Sequence, residues 1–263
     1  MPKLTIGDTQ VHYHIYGEGQ PLLLIAGLAS DLSTWKKALP KLEKHHQVIV
    51  FDNRGSGLTE TSAAAFSIAT LAEDAASLLQ ALHIEKAHVV GWSMGGNVAQ
   101  ELALCYPEKV GALVLMSTYM KEPDRSRFAL DVMIHSVREG ASMKSFMMMM
   151  QAWCSTNPAF KDRHASWAQE SKGDSPLSVE GFARQKQALD GFDTTKRAKG
   201  IALPTLVVHG TDDIMVPVEF GQDLATQIHG SEFHRIVGAG HFLPTSGWLD
   251  PVLDFLAKHP LAE

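Results

Sequence analysis

The sequence predicts an α/β fold in which a mostly parallel central sheet is flanked by helices and interrupted by a helical insertion. Three observations support this prediction. Short apolar runs alternate with amphipathic segments in the first half of the chain, this alternation stops between about residues 120 and 200, and it resumes near the C-terminus. Strands that alternate with helices are typical of a parallel sheet with right-handed crossovers.

The expected strands are short, and most are wholly apolar, as strands buried on both faces of a parallel sheet must be. The first expected strand differs, because apolar and polar residues alternate around Val11, Tyr13 and Ile15, with His12 and His14 on the solvent side. The other strands are expected at Leu22–Ile25, Val48–Phe51, Val89–Gly91, Ala112–Met116, Thr205–His209 and Phe233–Val237.

Helical spacing of apolar residues is found between the strand runs. Helices are expected at Ile68–Leu82, from Ser93 to about Tyr106 where Pro107 ends the helix, and at about Leu249–Lys258. Within the insertion, helices are expected at Arg127–Arg138, Ser142–Cys154, Ala159–Gln169 and Val179–Leu189. The sequence therefore predicts a core domain of residues 1–120 and 200–263 and a helical insertion of residues 121–199.

The composition is that of an ordinary globular protein. The chain has 263 residues, of which 45% are hydrophobic, and a formal net charge of −6. The sequence has no basic cluster of the kind that indicates nucleic-acid binding. No apolar run approaches the roughly 18 residues that would indicate a membrane span. The two cysteines, Cys105 and Cys154, lack metal-binding spacing and are expected to be buried. The N-terminal MPKLTIGDTQ has no apolar core of a signal peptide, so a cytoplasmic location is expected.

The strongest chemical signal is Gly91-Trp92-Ser93-Met94-Gly95, a G-x-S-x-G motif between a strand run and a helical pattern. This context is typical of a nucleophile elbow, a tight turn that exposes a serine hydroxyl at the carboxyl end of a sheet. The backbone N–H of Met94, at a helix N-terminus, is then a candidate oxyanion-hole donor. The alternative is a glycine-rich turn in which Ser93 only caps the helix; the strand before it favours the catalytic interpretation.

A serine nucleophile needs a base, and in this arrangement an acid and then a histidine follow the serine along the chain. His241, in a glycine-rich loop after the apolar run Phe233–Val237, has the right order and loop type. The acid should follow the strand Thr205–His209, where either Asp212 or Asp213 could orient the base. Asp124 is a weaker third candidate.

The second oxyanion donor is expected in the loop after Leu22–Ile25, and the N–H of Leu28 is the best candidate. The loop Asp52–Gly57 has glycines that suggest a phosphate cradle, but it lacks the Walker spacing and is interpreted as a structural turn.

Together these motifs resemble the α/β-hydrolase superfamily over nearly the whole chain. Within it, the chain is similar to the small bacterial group of carboxylesterases, 3-oxoadipate enol-lactonases and aminoacrylate hydrolases. The resemblance is carried by Gly27-Leu28, Asp52–Gly57, Gly91–Gly96, Gly210–Pro217 and Gly240-His241. It implies an α/β-hydrolase fold, with residues of about Lys121 to Lys199 as the cap. It also favours Asp213 as the acid, because the family's acid stands four positions before the proline of this loop.

One departure from the family concerns the oxyanion loop. Many relatives carry His-Gly where this chain has Ala26-Gly27, so a side chain that supports the loop is missing. The aminoacrylate-hydrolase branch also lacks that histidine, but its nucleophile elbow is altered, whereas Gly91–Gly95 is intact here.

The expected activity is hydrolysis of a carboxylic ester of a small, partly apolar substrate through Ser93, His241 and Asp213, without a metal or organic cofactor. The alternatives on the same triad are enol-lactone opening, carbon–carbon bond hydrolysis, acyl transfer and cofactor-free perhydrolysis. A ligand-binding protein with vestigial hydrolysis is a third class. The insertion is rich in methionine, and some of these side chains are expected to line an apolar pocket above Ser93. A carboxylated substrate would instead need a cationic side chain, for which Arg127, Arg163 and Arg184 are the candidates.

Overall fold

The computed structural model describes residues 2–60, 64–156 and 178–261. Its eight strands form one sheet in the order β1-β2-β4-β3-β5-β6-β7-β8. The strands are β1 Lys3–Ile6, β2 Thr9–Tyr16, β3 Gln20–Ile25, β4 His46–Phe51, β5 Ala87–Trp92, β6 Val110–Met116, β7 Thr205–Gly210 and β8 Glu232–Ile236. The first two strands pair antiparallel and the others parallel, which confirms the predicted α/β fold.

The helices cover both faces of the sheet. The described helices are α1 Leu39–Leu42, α2 Ile68–Ala81, α3 Met94–Cys105, α4 Asp124–Arg138, α5 Met143–Cys154, α6 Val179–Asp190, α7 Val218–Gln227 and α8 Thr245–Lys258. Alternate residues of β3 enter different cores: Leu23 and Ile25 pack with α2 and α3, and Leu22 and Leu24 pack with α1 and α8. Burial on both faces is the reason that this strand is wholly apolar.

Helices α4, α5 and α6 lie between β6 and β7, where the sequence predicts a helical insertion. The helix expected at Ala159–Gln169 lies outside the described residues. Phe146 of α5 and Phe182 of α6 pack edge to face, with ring centroids 4.7 Å apart, and both belong to the core on the α2 and α3 side of the sheet. The insertion is therefore continuous with the main core through apolar packing.

The expectations for His12 and Cys105 are wrong, and three elements are missing from the prediction. His12 is buried rather than solvated, because its Nδ1 lies 2.7 Å from Oδ2 of the buried Asp52, while Ile15 is exposed. Cys105 is exposed at the end of α3, whereas Cys154 is buried as expected. Strand β1 and helices α1 and α7 are missing from the predicted elements; β1 and α1 span only four residues each.

The loop Asp52–Gly57 is a structural turn, as predicted. Oδ2 of Asp52 accepts a hydrogen bond from the N–H of Leu58, and Gly57 has a left-handed φ of 55°. A Cβ on Gly57 would collide with the Asp52 carboxylate. The Asp52 carboxylate therefore fills the space beside Gly57 and takes up a backbone donor of this loop.

Candidate active site

The turn that carries Ser93 is strained and tightly packed. Ser93 has φ 56° and ψ −121°, outside the usual regions for a residue with a side chain, between the end of β5 and the start of α3. A Cβ on Gly95 would collide with the carbonyl oxygen of Ile25, and one on Gly91 would collide with the carbonyl oxygen of Gly95. Glycine is therefore required at both positions, as the elbow interpretation of the motif predicts.

His241 lies between Ser93 and Asp213. Its Nε2 is 2.9 Å from Oγ of Ser93, and its Nδ1 is 2.8 Å from Oδ2 of Asp213. The indole N–H of Trp92 donates to the carbonyl oxygen of His241 at 3.2 Å, and the Trp92 and His241 rings lie 5.5 Å apart. The structure thus brings the three residues proposed as nucleophile, base and acid into one hydrogen-bonded chain, although they come from three distant segments.

Asp213 is held by more than His241. Its Oδ1 accepts hydrogen bonds from the backbone N–H groups of Met215 and Val216, at 2.9 and 2.8 Å. His209 Nε2 lies 3.5 Å from Oδ2 of Asp213 and 2.8 Å from the carbonyl oxygen of Val216. Burial acts to raise the pKa of Asp213, but His241 and His209 outweigh it and lower this pKa to about 2. Asp213 is therefore a fixed anion at neutral pH.

The other two candidate acids lie elsewhere. Asp212 accepts a hydrogen bond from Oγ1 of Thr211 at 2.8 Å. Asp124 is exposed at the first position of α4. Only Asp213 of the three is hydrogen-bonded to His241 within the described residues.

The two candidate oxyanion donors flank Ser93. Met94 is the first residue of α3, where backbone N–H groups are not used by the helix. Leu28 lines the same cavity as Ser93, and a Cβ on the neighbouring Gly27 would lie 3.1 Å from Cβ of Ser93. Both backbone segments thus adjoin the serine.

Two side-chain amides hold the loop that carries Leu28, where Ala26 stands before Gly27. Asn53 Nδ2 donates to the carbonyl oxygen of Ala26 at 3.1 Å. The N–H of Ala29, which has a left-handed φ of 60°, donates to Oε1 of Gln185 at 2.9 Å. Gln185 belongs to α6 in the insertion and is fully buried, and its Nε2 donates to the carbonyl oxygen of Arg54 at 2.7 Å. No local pattern around Gln185 marks this role in the sequence.

A mostly apolar cavity opens beside Ser93 and His241. The insertion contributes part of its wall, including the methionines Met147 and Met150 of α5, while Met148 is exposed. Glu122 is the one carboxylate among its described lining residues. The cavity is lined by Leu28, Ala29, Ser30, Trp92, Ser93, Tyr119, Glu122, Ser126, Leu130, Phe146, Met147, Met150, Gln151, Cys154, Leu189, Met215, Val216, His241 and Phe242.

Two of the three candidate arginines contact groups outside the described cavity lining. Arg127 Nε lies 3.3 Å from Oδ1 of Asp190, and Arg184 donates to the carbonyl oxygen of Ala64 at 2.7 Å. Neither is among the described lining residues, and Arg163 lies outside the part of the chain that the structure describes. In that part there is also no cluster of three or more potential metal ligands, and no helix there has the length and apolar character to cross a membrane.

A family model for the α/β hydrolase fold matches residues 20–246 of the chain. The protein belongs to the α/β-hydrolase family. The predicted superfamily is thereby confirmed, and the protein is a hydrolase.

Relatives and solved structures within the family differ in activity. A putative carbamate hydrolase, RutD, from Variovorax paradoxus is 29% identical over 263 residues, covering 94% of this chain and 96% of its own. An enol-lactonase from Burkholderia xenovorans is 25% identical with a TM-score of 0.86, covering 97% of this chain and 100% of its own. A thermophilic esterase from Thermogutta terrifontis is 25% identical with a TM-score of 0.85, covering 99% and 100%.

Proposed function

We propose that this hydrolase cleaves carboxylic esters of small, partly apolar substrates, with Ser93 as nucleophile, His241 as base and Asp213 as the acid that orients it. The observation that carries the proposal is the position of His241, which is hydrogen-bonded to Ser93 through Nε2 and to Asp213 through Nδ1. A histidine held in this way can take the serine proton and carry the resulting charge beside an anion. The similarity to an esterase supports the same reaction class.

In the first half of the proposed mechanism, Oγ of Ser93 attacks the ester carbonyl carbon while its proton passes to Nε2 of His241. The N–H groups of Leu28 and Met94 bind the oxyanion that forms. Collapse of this tetrahedral species breaks the bond to the alcohol oxygen, which receives the proton from His241. The acyl group stays on Ser93.

In the second half, His241 takes a proton from water and the hydroxide attacks the acyl-enzyme carbonyl. The oxyanion donors act again, the acid leaves, and the proton returns to Ser93. Every proton transfer uses His241, so no metal or organic cofactor is required by this scheme. The helical insertion of residues 121–199 acts as a cap that supplies the apolar wall of the substrate cavity.

The test is hydrolysis of p-nitrophenyl esters from acetate to decanoate by the native chain and Ser93→Ala. We expect kcat/KM to fall by about 10³-fold or more in Ser93→Ala, because the nucleophile is removed. Ser246→Ala, in the exposed part of α8, is the matched control and should retain native activity. Full activity in Ser93→Ala would refute the proposal.

A second candidate is enol-lactone hydrolysis on the same triad, supported by the similarity to the Burkholderia enol-lactonase. An enol-lactone that carries a free carboxylate fits the described cavity poorly, since the described lining contains the carboxylate of Glu122 and no lysine or arginine. Activity on 3-oxoadipate enol-lactone without activity on any simple ester would favour this candidate over the first. Carbon–carbon bond hydrolysis and perhydrolysis would use the same residues, and a diketone substrate and added hydrogen peroxide, respectively, would test for them.

A further inference from the structure

The cavity beside Ser93 contains a carboxylate that the reaction does not use. Glu122 lies in the segment between β6 and α4 and is 8% exposed. Nζ of Lys186 lies 3.3 Å from Oε2 and acts as its hydrogen-bond partner, whereas Oε1 has no hydrogen-bond partner among the described residues. A buried carboxylate normally accepts several hydrogen bonds. Glu122 therefore retains acceptor capacity at the cavity wall.

The charges around Glu122 leave an excess of negative charge. Lys186, itself 1% exposed, also contacts Asp131 and Asp190, so it is shared among three carboxylates. Arg127 contributes one more cation through its contact with Asp190. Among the described residues, three carboxylates thus face two cations, and of these five groups only Glu122 lines the cavity.

The negative charge in this region also affects the pKa values of Glu122 and Tyr119. Burial raises the pKa of Glu122, and Lys186 opposes that rise only in part. Tyr119, which lines the same cavity, has its pKa raised by burial and further by Glu122 and Asp190. The charged form of Glu122 is thus poorly stabilised by its present partners, and a cation in the cavity would stabilise it.

We propose that Glu122 makes the cavity select substrate groups that carry a positive charge over those that carry a carboxylate. An ammonium near Glu122 gains an ion pair in an environment where water screens little, and a carboxylate there meets like charge. The apolar remainder of the cavity holds the carbon chain that links this group to the ester. This inference rests on the proposed ester hydrolysis and names the substrate class for the same site.

The test compares three ethyl esters of matched length by the ethanol they release: ethyl 6-aminohexanoate, ethyl heptanoate and monoethyl hexanedioate. In the native enzyme, kcat/KM for the ammonium ester should exceed that for the carboxylate ester by about tenfold or more. In Glu122→Gln this ratio should fall to about one, and the rate with the neutral ester normalises the two charged esters for any general change in activity. The matched control is Glu180→Gln, an exposed carboxylate of α6 outside the described cavity lining, which should keep the native ratio.

Equal rates for the two charged esters in the native enzyme, or a preference for the carboxylate, would overturn the proposal. So would an unchanged ratio in Glu122→Gln. If Glu122→Gln does not fold because Lys186 loses a partner, Glu122→Asp keeps the charge, and the native ratio alone still decides the selectivity.

A binding measurement separates failure of this inference from failure of the ester proposal. If no ester is hydrolysed, calorimetric titration with hexylammonium and with hexan-1-ol tests the cavity without any reaction. Tighter binding of hexylammonium to the native chain, lost in Glu122→Gln, supports the inference; equal binding overturns it. Alkyl carboxylates are excluded from this measurement, because the oxyanion donors would bind them as they bind a product.

Discussion

The N–H of Ala29 donates to the side-chain oxygen of Gln185, and this bond joins the oxyanion loop to a helix of the insertion. Gln185 also donates to the carbonyl oxygen of Arg54, so one fully buried amide fixes two loops at the carboxyl ends of β3 and β4. The candidate donor Leu28 directly precedes Ala29. The position of the Leu28 N–H is therefore coupled to the seating of α6 on the core.

Gln185→Leu should lower kcat by about tenfold with a smaller effect on KM. A displaced oxyanion donor reduces the stabilisation of the transition state more than it reduces the binding of the ester. Stability should also fall by about 1–3 kcal/mol, since two backbone groups lose their partner. Gln187→Leu, on the exposed side of the same helix, is the control. If folded Gln185→Leu has the native kcat in the p-nitrophenyl ester assay, Gln185 does not position the Leu28 donor. Gln185→Glu keeps the acceptor oxygen for Ala29 and should recover part of the lost kcat.

The hydrogen bond between Ala29 and Gln185 could not be predicted from the sequence. The missing histidine before Gly27 indicated that the oxyanion loop lacks its usual support. The replacement comes from a residue more than 150 positions away, in a helix whose local pattern says nothing about hydrogen bonds to a loop. The fold class and the strands β3 to β7 were predictable because burial on both sheet faces leaves a local, continuously apolar pattern.

His12 was predicted to face solvent, but it is buried. Alternation in β2 placed it on the solvent side, but β2 is covered there by the turn that follows β4, and Asp52 accepts its hydrogen bond. A local period identifies two faces of a strand without saying whether other segments cover both. The same limit applies to Glu122, whose position in the cavity depends on how α4 and α6 pack.

Asp213→Asn should lower kcat by about 10⁴-fold, because an amide cannot stabilise the imidazolium of His241 and favours the wrong tautomer. Asp212→Asn is a matched control at the adjacent position, where the carboxylate bonds Thr211 instead of the histidine. Rates with p-nitrophenyl esters under single-turnover conditions are the measurement. Comparable losses in the two variants would contradict the assignment of Asp213.

Gly95→Ala should destabilise the protein by about 3 kcal/mol or more, because the new methyl group would collide with the backbone of Ile25. The comparison is Gly191→Ala at the end of α6, where φ is −92° and no atom lies within 4 Å of the added Cβ. That variant should be neutral or more stable by about 0.4–1 kcal/mol. Urea unfolding of both proteins provides the free energies, and equal effects would show that the elbow is not tightly packed.

His88 should make stability depend on pH below neutrality. It is fully buried in β5, and its Nδ1 accepts a hydrogen bond from the N–H of Ala112 at 3.1 Å. Burial, together with His46 and His259, lowers the pKa of His88 to about 4. In the unfolded chain a histidine has a pKa of about 6.5, so between these values the unfolded state binds a proton that the native state does not.

The sign follows from this difference in bound protons. The contribution of His88 to the free energy of unfolding is fully present above about pH 6.5 and is lost as the pH falls towards 4, and after allowance for solvent screening it amounts to about 1–2 kcal/mol. His88→Gln should remove this part of the slope between pH 4 and 6.5 in urea unfolding experiments. His229→Gln, at an exposed position before β8, should leave the slope unchanged. If the free energy of unfolding of His88→Gln keeps the native dependence on pH, the acid-sensitive group lies elsewhere. His88 acts in this pH range only through protonation of its ring, which removes the buried acceptor at Nδ1.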